Sequence, residues 1–112
     1  MTVHDLTTAL MLEPVCAGDL RREVTGGYCG DLLSWVMGRA KPGCAWITIM
    51  CNLNTVAVAV MAEVSAVILA EGVRPDEEVI LRAKEQGVAL LCGSQSAFEL
   101  AGALSRLLEE HR

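Results

Sequence analysis

Five cysteines, at positions 16, 29, 44, 51 and 92, are the most reactive side chains in this 112-residue sequence. Three of them, Cys29, Cys51 and Cys92, are expected just past strand ends and close to helix starts, where the positive end of a helix dipole stabilises a thiolate. If their loops converge, the sulfurs come within reach of one another, as a redox pair or a soft-metal site requires. Spacing argues against this: no C-x-x-C pair occurs, and His4 and His111 stand at opposite chain ends. A free cysteine is more often a small buried hydrophobe than a ligand. Neither histidine has a nucleophile beside it, so no Ser or Cys triad can be assembled. The expectation is no catalytic residue, no metal and no cofactor.

A second candidate is the stretch Arg22-Glu23-Val24-Thr25-Gly26-Gly27-Tyr28-Cys29-Gly30-Asp31, with three glycines between an alternating run and an apolar segment. Glycine permits backbone angles and close approaches that a Cβ forbids, so Gly26, Gly27 and Gly30 mark a bent or closely approached backbone. The local reading is strand over 22–25, glycine turn, then a helix over about 31–39 capped by Asp31. The stretch has neither the G-x-x-x-x-G-K-[ST] nor the G-x-G-x-x-G spacing, which argues against nucleotide hydrolysis.

These features must be positioned by one domain covering 1–112, a length that buries a core without disulfide staples. Hydrophobic residues make up 53% of the sequence and aromatics 4%, so Val, Leu, Ile, Ala and Met fill the interior. The apolar share and a mean hydropathy of +0.42 point to a buried subunit interface, most simply a homodimer. A net charge of −5 supplies no basic field for nucleic acid. The sequence shows no secretory signal, and its longest apolar run, 56–62, falls far short of a bilayer span. A cytoplasmic, reducing setting is expected.

Along the chain, Thr2 and Asp5 cap a first helix that ends near Leu12, and 15–17 form a short strand. Lys41-Pro42-Gly43 is a turn before an apolar strand over 44–50. Asn52 or Asn54 caps a helix over 55–63, 66–69 is a strand, and Pro75-Asp76-Glu77-Glu78 opens a helix with Gly87 at its C-cap. A strand over 88–92 follows, then a helix with a Ser96/Glu99 capping box. Residues 109–112 are expected to fray. Strand and helix alternate from Cys44 onward, which implies a small, mostly parallel sheet flanked by helices, an α/β fold. Ligands of such sheets bind at loops beyond the carboxyl ends of the strands, where helix amino termini favour small anions. The candidate ligand-binding residues are Arg22, Thr25, Gly26, Gly27, Asn52, Asn54, Ser94 and Ser96.

The Arg22–Gly27 segment, followed by Tyr28, Gly30, Asp31 and two leucines, resembles the signature of the DRTGG domain. Further likeness runs through Ala40–Gly43, Trp46–Ile49, Asn54 and Ser96–Ala101. Arg21 stands where the signature aspartate is expected, and Asn52-Leu53-Asn54 replaces the His-Pro-Asn of relatives. The resemblance implies a fold similar to the amino-terminal domains of HPr kinase and the Mur ligases. It also implies a regulatory or interaction module that takes a small anionic metabolite or nucleotide. Such domains accompany phosphate acetyltransferases and CBS-containing pyrophosphatases outside their catalytic parts, and some stand-alone relatives are associated with redox or hydrogenase-type systems. The alternative is a redox or enzyme-like accessory built on Cys29, Cys51 and Cys92.

Overall fold

A computed structural model describes residues 1–111. The elements follow the order α1 (Val3–Ala9), β1 (Glu13–Cys16), β2 (Gly26–Cys29), α2 (Leu33–Arg39), β3 (Cys44–Thr48), α3 (Leu53–Met61), β4 (Ala66–Leu69), α4 (Glu77–Gln86), β5 (Leu90–Cys92) and α5 (Ala97–Glu110). The strands form one five-stranded sheet in the order β1-β5-β4-β3-β2. β2, β3, β4 and β5 run parallel, and β1 is antiparallel to β5. The mostly parallel α/β sheet is therefore as expected.

Both faces of the sheet are covered, so the inner strands are apolar throughout rather than alternating. Every residue of β3, β4 and β5 is buried. Trp46, Val67, Leu69 and Leu90 pack on one face with Val36 of α2, Val56 and Ala59 of α3 and Val79 and Ala83 of α4. Ala45, Ile47, Ile68 and Leu91 pack on the other with Leu6 of α1 and Leu100 and Leu104 of α5. The β2-α2-β3-α3-β4-α4-β5 run thus lays its crossover helices on one face, and the two end helices close the other.

Local chemistry explains most boundaries. Thr2 and Asp5 make a reciprocal capping box at α1, Asn52 and Thr55 make one at α3, and Ser96 and Glu99 make one at α5. Asp76 caps α4, and Gly87 ends it in the left-handed region at φ 70°. Helix α5 stays regular to Glu110 rather than fraying from 109, and Arg112 lies outside the described residues.

Two local expectations give way. The glycine stretch is not a turn: Gly26–Cys29 is the strand β2, paired with Cys44–Ile47. A Cβ on Gly27 would lie 2.8 Å from Leu104 Cδ2, so glycine here serves close approach of a helix to an edge strand. The preceding segment makes only an isolated bridge from Glu23 to Thr2 and stays outside the sheet. Asp31 is no helix cap either: Leu32 occupies that position without a side-chain bond, while Asp31 Oδ1 accepts hydrogen bonds from Thr48 Oγ1 (2.8 Å) and the Ile49 amide (3.0 Å).

Candidate functional site

The loops that follow β2, β3, β4 and β5 emerge along one edge of the sheet, since these strands are parallel. Three tertiary ties set the rim's shape. Asp31 braces the start of the β3 loop through Thr48, which is 1% exposed. Glu71, held at φ 62°, sends Oε2 to the Ala97 amide at 2.9 Å, so the β4 loop caps α5. Cys51 Sγ lies 3.8 Å from the Arg74 carbonyl oxygen, joining the β3 and β4 loops.

Arg74 is the one cation in the four strand-end loops. Its guanidinium donates to both Glu13 oxygens, at 3.3 and 2.7 Å. Hydrogen bonding to Arg74, then attraction to its charge, holds the Glu13 carboxyl below its ordinary range, and the same contacts raise Arg74. Both side chains remain more than half exposed, at 57% for Arg74 and 61% for Glu13. They flank a hollow of about 260 Å³ lined also by Met11, Gly72, Cys92 and Ser94.

The helix starts on this rim differ in charge. α4 has Asp76, Glu77 and Glu78 at its amino end, and α5 has Glu71 and Glu99. α3 has no acidic residue in its first turn and is capped by the neutral Asn52. The α3 start and Arg74 therefore make the part of the rim best suited to negative charge.

Four of the candidate residues lie here: Asn52, Asn54 and Ser94 are exposed, and Ser96 is half-buried. Arg22, Thr25 and Gly26 are at the opposite edge. Gly26 pairs with Cys44 at the beginning of β3. Arg22 donates to the Glu63 carbonyl at 2.7 Å, and the Thr25 amide donates to the Gly43 carbonyl at 2.9 Å. Gly27 sits within β2 under Leu104. A strand of four residues spans roughly 13 Å, so the eight candidates do not form one site. Sequence reading passed over Arg74 and Glu13; the available signal was a single arginine among otherwise uncharged or acidic rim loops.

The cysteines depart from the expected thiolates. Burial raises the thiols of Cys29, Cys44 and Cys92, the charge of Asp31 adding to the first. β2 and β5 are separated by β4 and β3, which puts Cys29 and Cys92 on the order of 14 Å apart at the usual strand spacing. A disulfide spans less than about 7 Å between Cα atoms. Among the described residues, no group of three or more His, Cys, Asp or Glu side chains is placed to hold a metal ion, and no helix is long and apolar enough to cross a membrane.

The profile of the DRTGG domain matches residues 27–107, so the earlier part of the signature, including Arg21 to Gly26, lies outside the matched span. No curated protein sequence is significantly similar to the chain. Among solved structures, the fold is similar to the CBS and DRTGG domains of the regulatory region of Clostridium perfringens pyrophosphatase, solved with its activator diadenosine tetraphosphate. The TM-score is 0.71 at 14% identity, covering 91% of this chain and 45% of that one. The chain thus spans less than half the length of that neighbour.

Proposed function

This chain belongs to the DRTGG domain family, and from that premise we propose that residues 1–112 act as a non-catalytic regulatory module that homodimerises and binds a small anionic metabolite or nucleotide at the carboxyl rim of its sheet. The observation that carries this reading is the exposed Arg74 at a polar hollow, next to the one rim helix of α3–α5 that starts without a carboxylate. Ser94 lines the same hollow, while Asn52, Asn54 and Ser96 stand elsewhere on the same rim, Asn52 and Ser96 as the caps of α3 and α5. The nucleotide activator of the pyrophosphatase region lends support from a protein of the same fold.

In the absence of ligand, Glu13 neutralises Arg74. An incoming phosphate competes with that carboxylate for the guanidinium fork, and the pair's exposure leaves both side chains free to part. A charge-assisted contact of this kind recognises phosphate in two-pronged fashion. Redox service through Cys29, Cys51 and Cys92 is the weaker reading, because burial pushes the Cys29 and Cys92 thiols toward the protonated form, a poor nucleophile, and three strand spacings separate their strands.

A thermal-shift series with adenine mononucleotides, diadenosine polyphosphates and acetyl phosphate tests the proposal. Binding raises Tm in a saturable manner, and Arg74→Gln diminishes that rise. Flat melting temperatures across the series at millimolar ligand would reject the anion site.

A further inference from the structure

The two edges of the sheet are built differently. At one end, β1 carries Glu13 and Pro14, and its pairing with β5 slips between Pro14 and Cys16. A charge, a proline and a bulge are the devices that stop an edge strand from recruiting another strand. At the other end, β2 reads Gly26-Gly27-Tyr28-Cys29, with no charged residue between Val24 and Gly30 and no proline. The Gly30 amide donates to the Ile47 carbonyl across the β2–β3 pair. Alternation then turns the backbone groups of Gly27 and Cys29 away from β3, and both residues are exposed.

The surfaces beside this open edge are largely apolar. On one face, a hollow of about 210 Å³ is lined by Gly27, Cys29, Ala101, Leu104, Ser105 and Leu108. On α2 and its entry, Leu32 (58% exposed) and Trp35 (52%) reach solvent, the Trp35 ring carrying the Arg39 guanidinium 3.8 Å from its centroid. Desolvating such flanks stabilises strand addition, whereas a charged border would oppose it.

We propose that this edge is a subunit seam, at which the β2 strand of a second copy adds antiparallel to the first about a twofold axis and joins two sheets into one. The proposal rests on the homodimer reading above and assigns its surface. A register centred on Tyr28 opposes Gly27 to Cys29 of the other copy, and Cys29 to Gly27, so the outward-facing groups of both residues are paired on both chains. The same arrangement sets each Cys29 side chain beside Gly27 of the other copy, where no Cβ competes with it. Self-pairing is the favoured occupancy because the strand is its own complement under a twofold, which makes the contact isologous and closed.

In that register the two Cys29 residues are diagonal neighbours, about 7–8 Å apart. They are too distant for a disulfide but within reach of a short bis-maleimide. Cys16, Cys44 and Cys92 are buried, so Cys51→Ser leaves Cys29 as the one accessible thiol. Light scattering on the full chain is expected to give a dimer mass, and the Cys51→Ser protein is expected to yield a cross-linked dimer that Cys29→Ser abolishes. Cys29→Pro removes an outward amide and is expected to raise the dimer dissociation constant by at least about tenfold with an unchanged far-ultraviolet CD spectrum. Should that variant not fold, Cys29→Lys, which sets like charges across the seam, takes its place. A monomer mass for the parent chain overturns both the dimer and the seam. A dimer that neither cross-links through Cys29 nor weakens on substitution overturns the seam alone.

Discussion

Leu104 Cδ2 lies 2.8 Å from the point where a Cβ on Gly27 would stand. Leu104 is 2% exposed and belongs to the core layer of Ile47 and Ala45, so it must leave its place in that layer to admit a methyl. Gly27→Ala therefore overpacks the β2–α5 contact, with an expected loss of about 1–3 kcal/mol. Chemical denaturation of Gly27→Ala, Leu104→Ala and the double variant checks this. The prediction requires the double variant to be more stable than the sum of the single losses implies, because removing the leucine side chain vacates the space the new methyl needs. Additive losses would contradict it.

Asp31 ties the end of β2 to the loop after β3. Replacing it with alanine leaves the buried Thr48 hydroxyl without its carboxylate acceptor and frees the Ile49 amide. A loss of about 1–3 kcal/mol is expected, with Asp31→Asn milder because its carbonyl oxygen still accepts. Amide hydrogen exchange at Ile49 should quicken in the alanine variant. Equal stability of the parent and alanine forms would show that the tie carries no weight.

The parts of this structure that were legible in advance are those whose cause lies within a few residues. The Ser96/Glu99 box, the asparagine cap of α3, the strand Ala66–Leu69 and the left-handed Gly87 each follow from neighbours in sequence. Gly26–Cys29 was read as a turn because local composition gives glycine the same appearance in a turn as in a strand beneath a close helix. Leu104 makes the difference, and it arrives with the last helix. The same holds for Asp31, which looks like a cap until Thr48 offers a buried hydroxyl. It holds too for the Glu13–Arg74 pair, whose members are 61 residues apart. Asn52, Asn54, Ser94 and Ser96 lie at the carboxyl ends of the strands, where their neighbours in sequence place them. Arg22, Thr25 and Gly26 lie at the opposite end, because the glycine segment is a strand and not a turn.

The Glu13–Arg74 pair makes part of the stability pH-dependent. The folded-state pKa of Glu13 lies below its ordinary value near 4.5, so the unfolded chain binds the proton more readily. The pair's contribution is therefore fully present above the unfolded value and fades as pH falls through the lowered folded value. Because both groups face solvent, the effect is small and screened by salt. Comparing Tm of the parent with Glu13→Gln at low ionic strength, the parent should melt higher at neutral pH, and the difference should shrink as pH falls through the lowered folded value. A gap that persists or widens in acid would assign the effect to something other than this carboxylate.

Thiol chemistry separates the sheet geometry from the redox reading. Cys16, Cys44 and Cys92 are buried, Cys29 is exposed and Cys51 is half-buried. Native protein at neutral pH should react with an aromatic disulfide first at Cys29 and Cys51, while the other three wait for unfolding. Cys29 itself should react more slowly than a free thiol, since desolvation and the nearby Asp31 carboxylate raise its pKa and thin its thiolate population. Raising pH accelerates it. Mild oxidation followed by peptide mapping should recover no bond between Cys29 and Cys92, because β3 and β4 separate their strands. Recovery of that disulfide from folded protein would mean that the β2–β3–β4–β5 order is wrong, and with it the rim on which the ligand proposal depends.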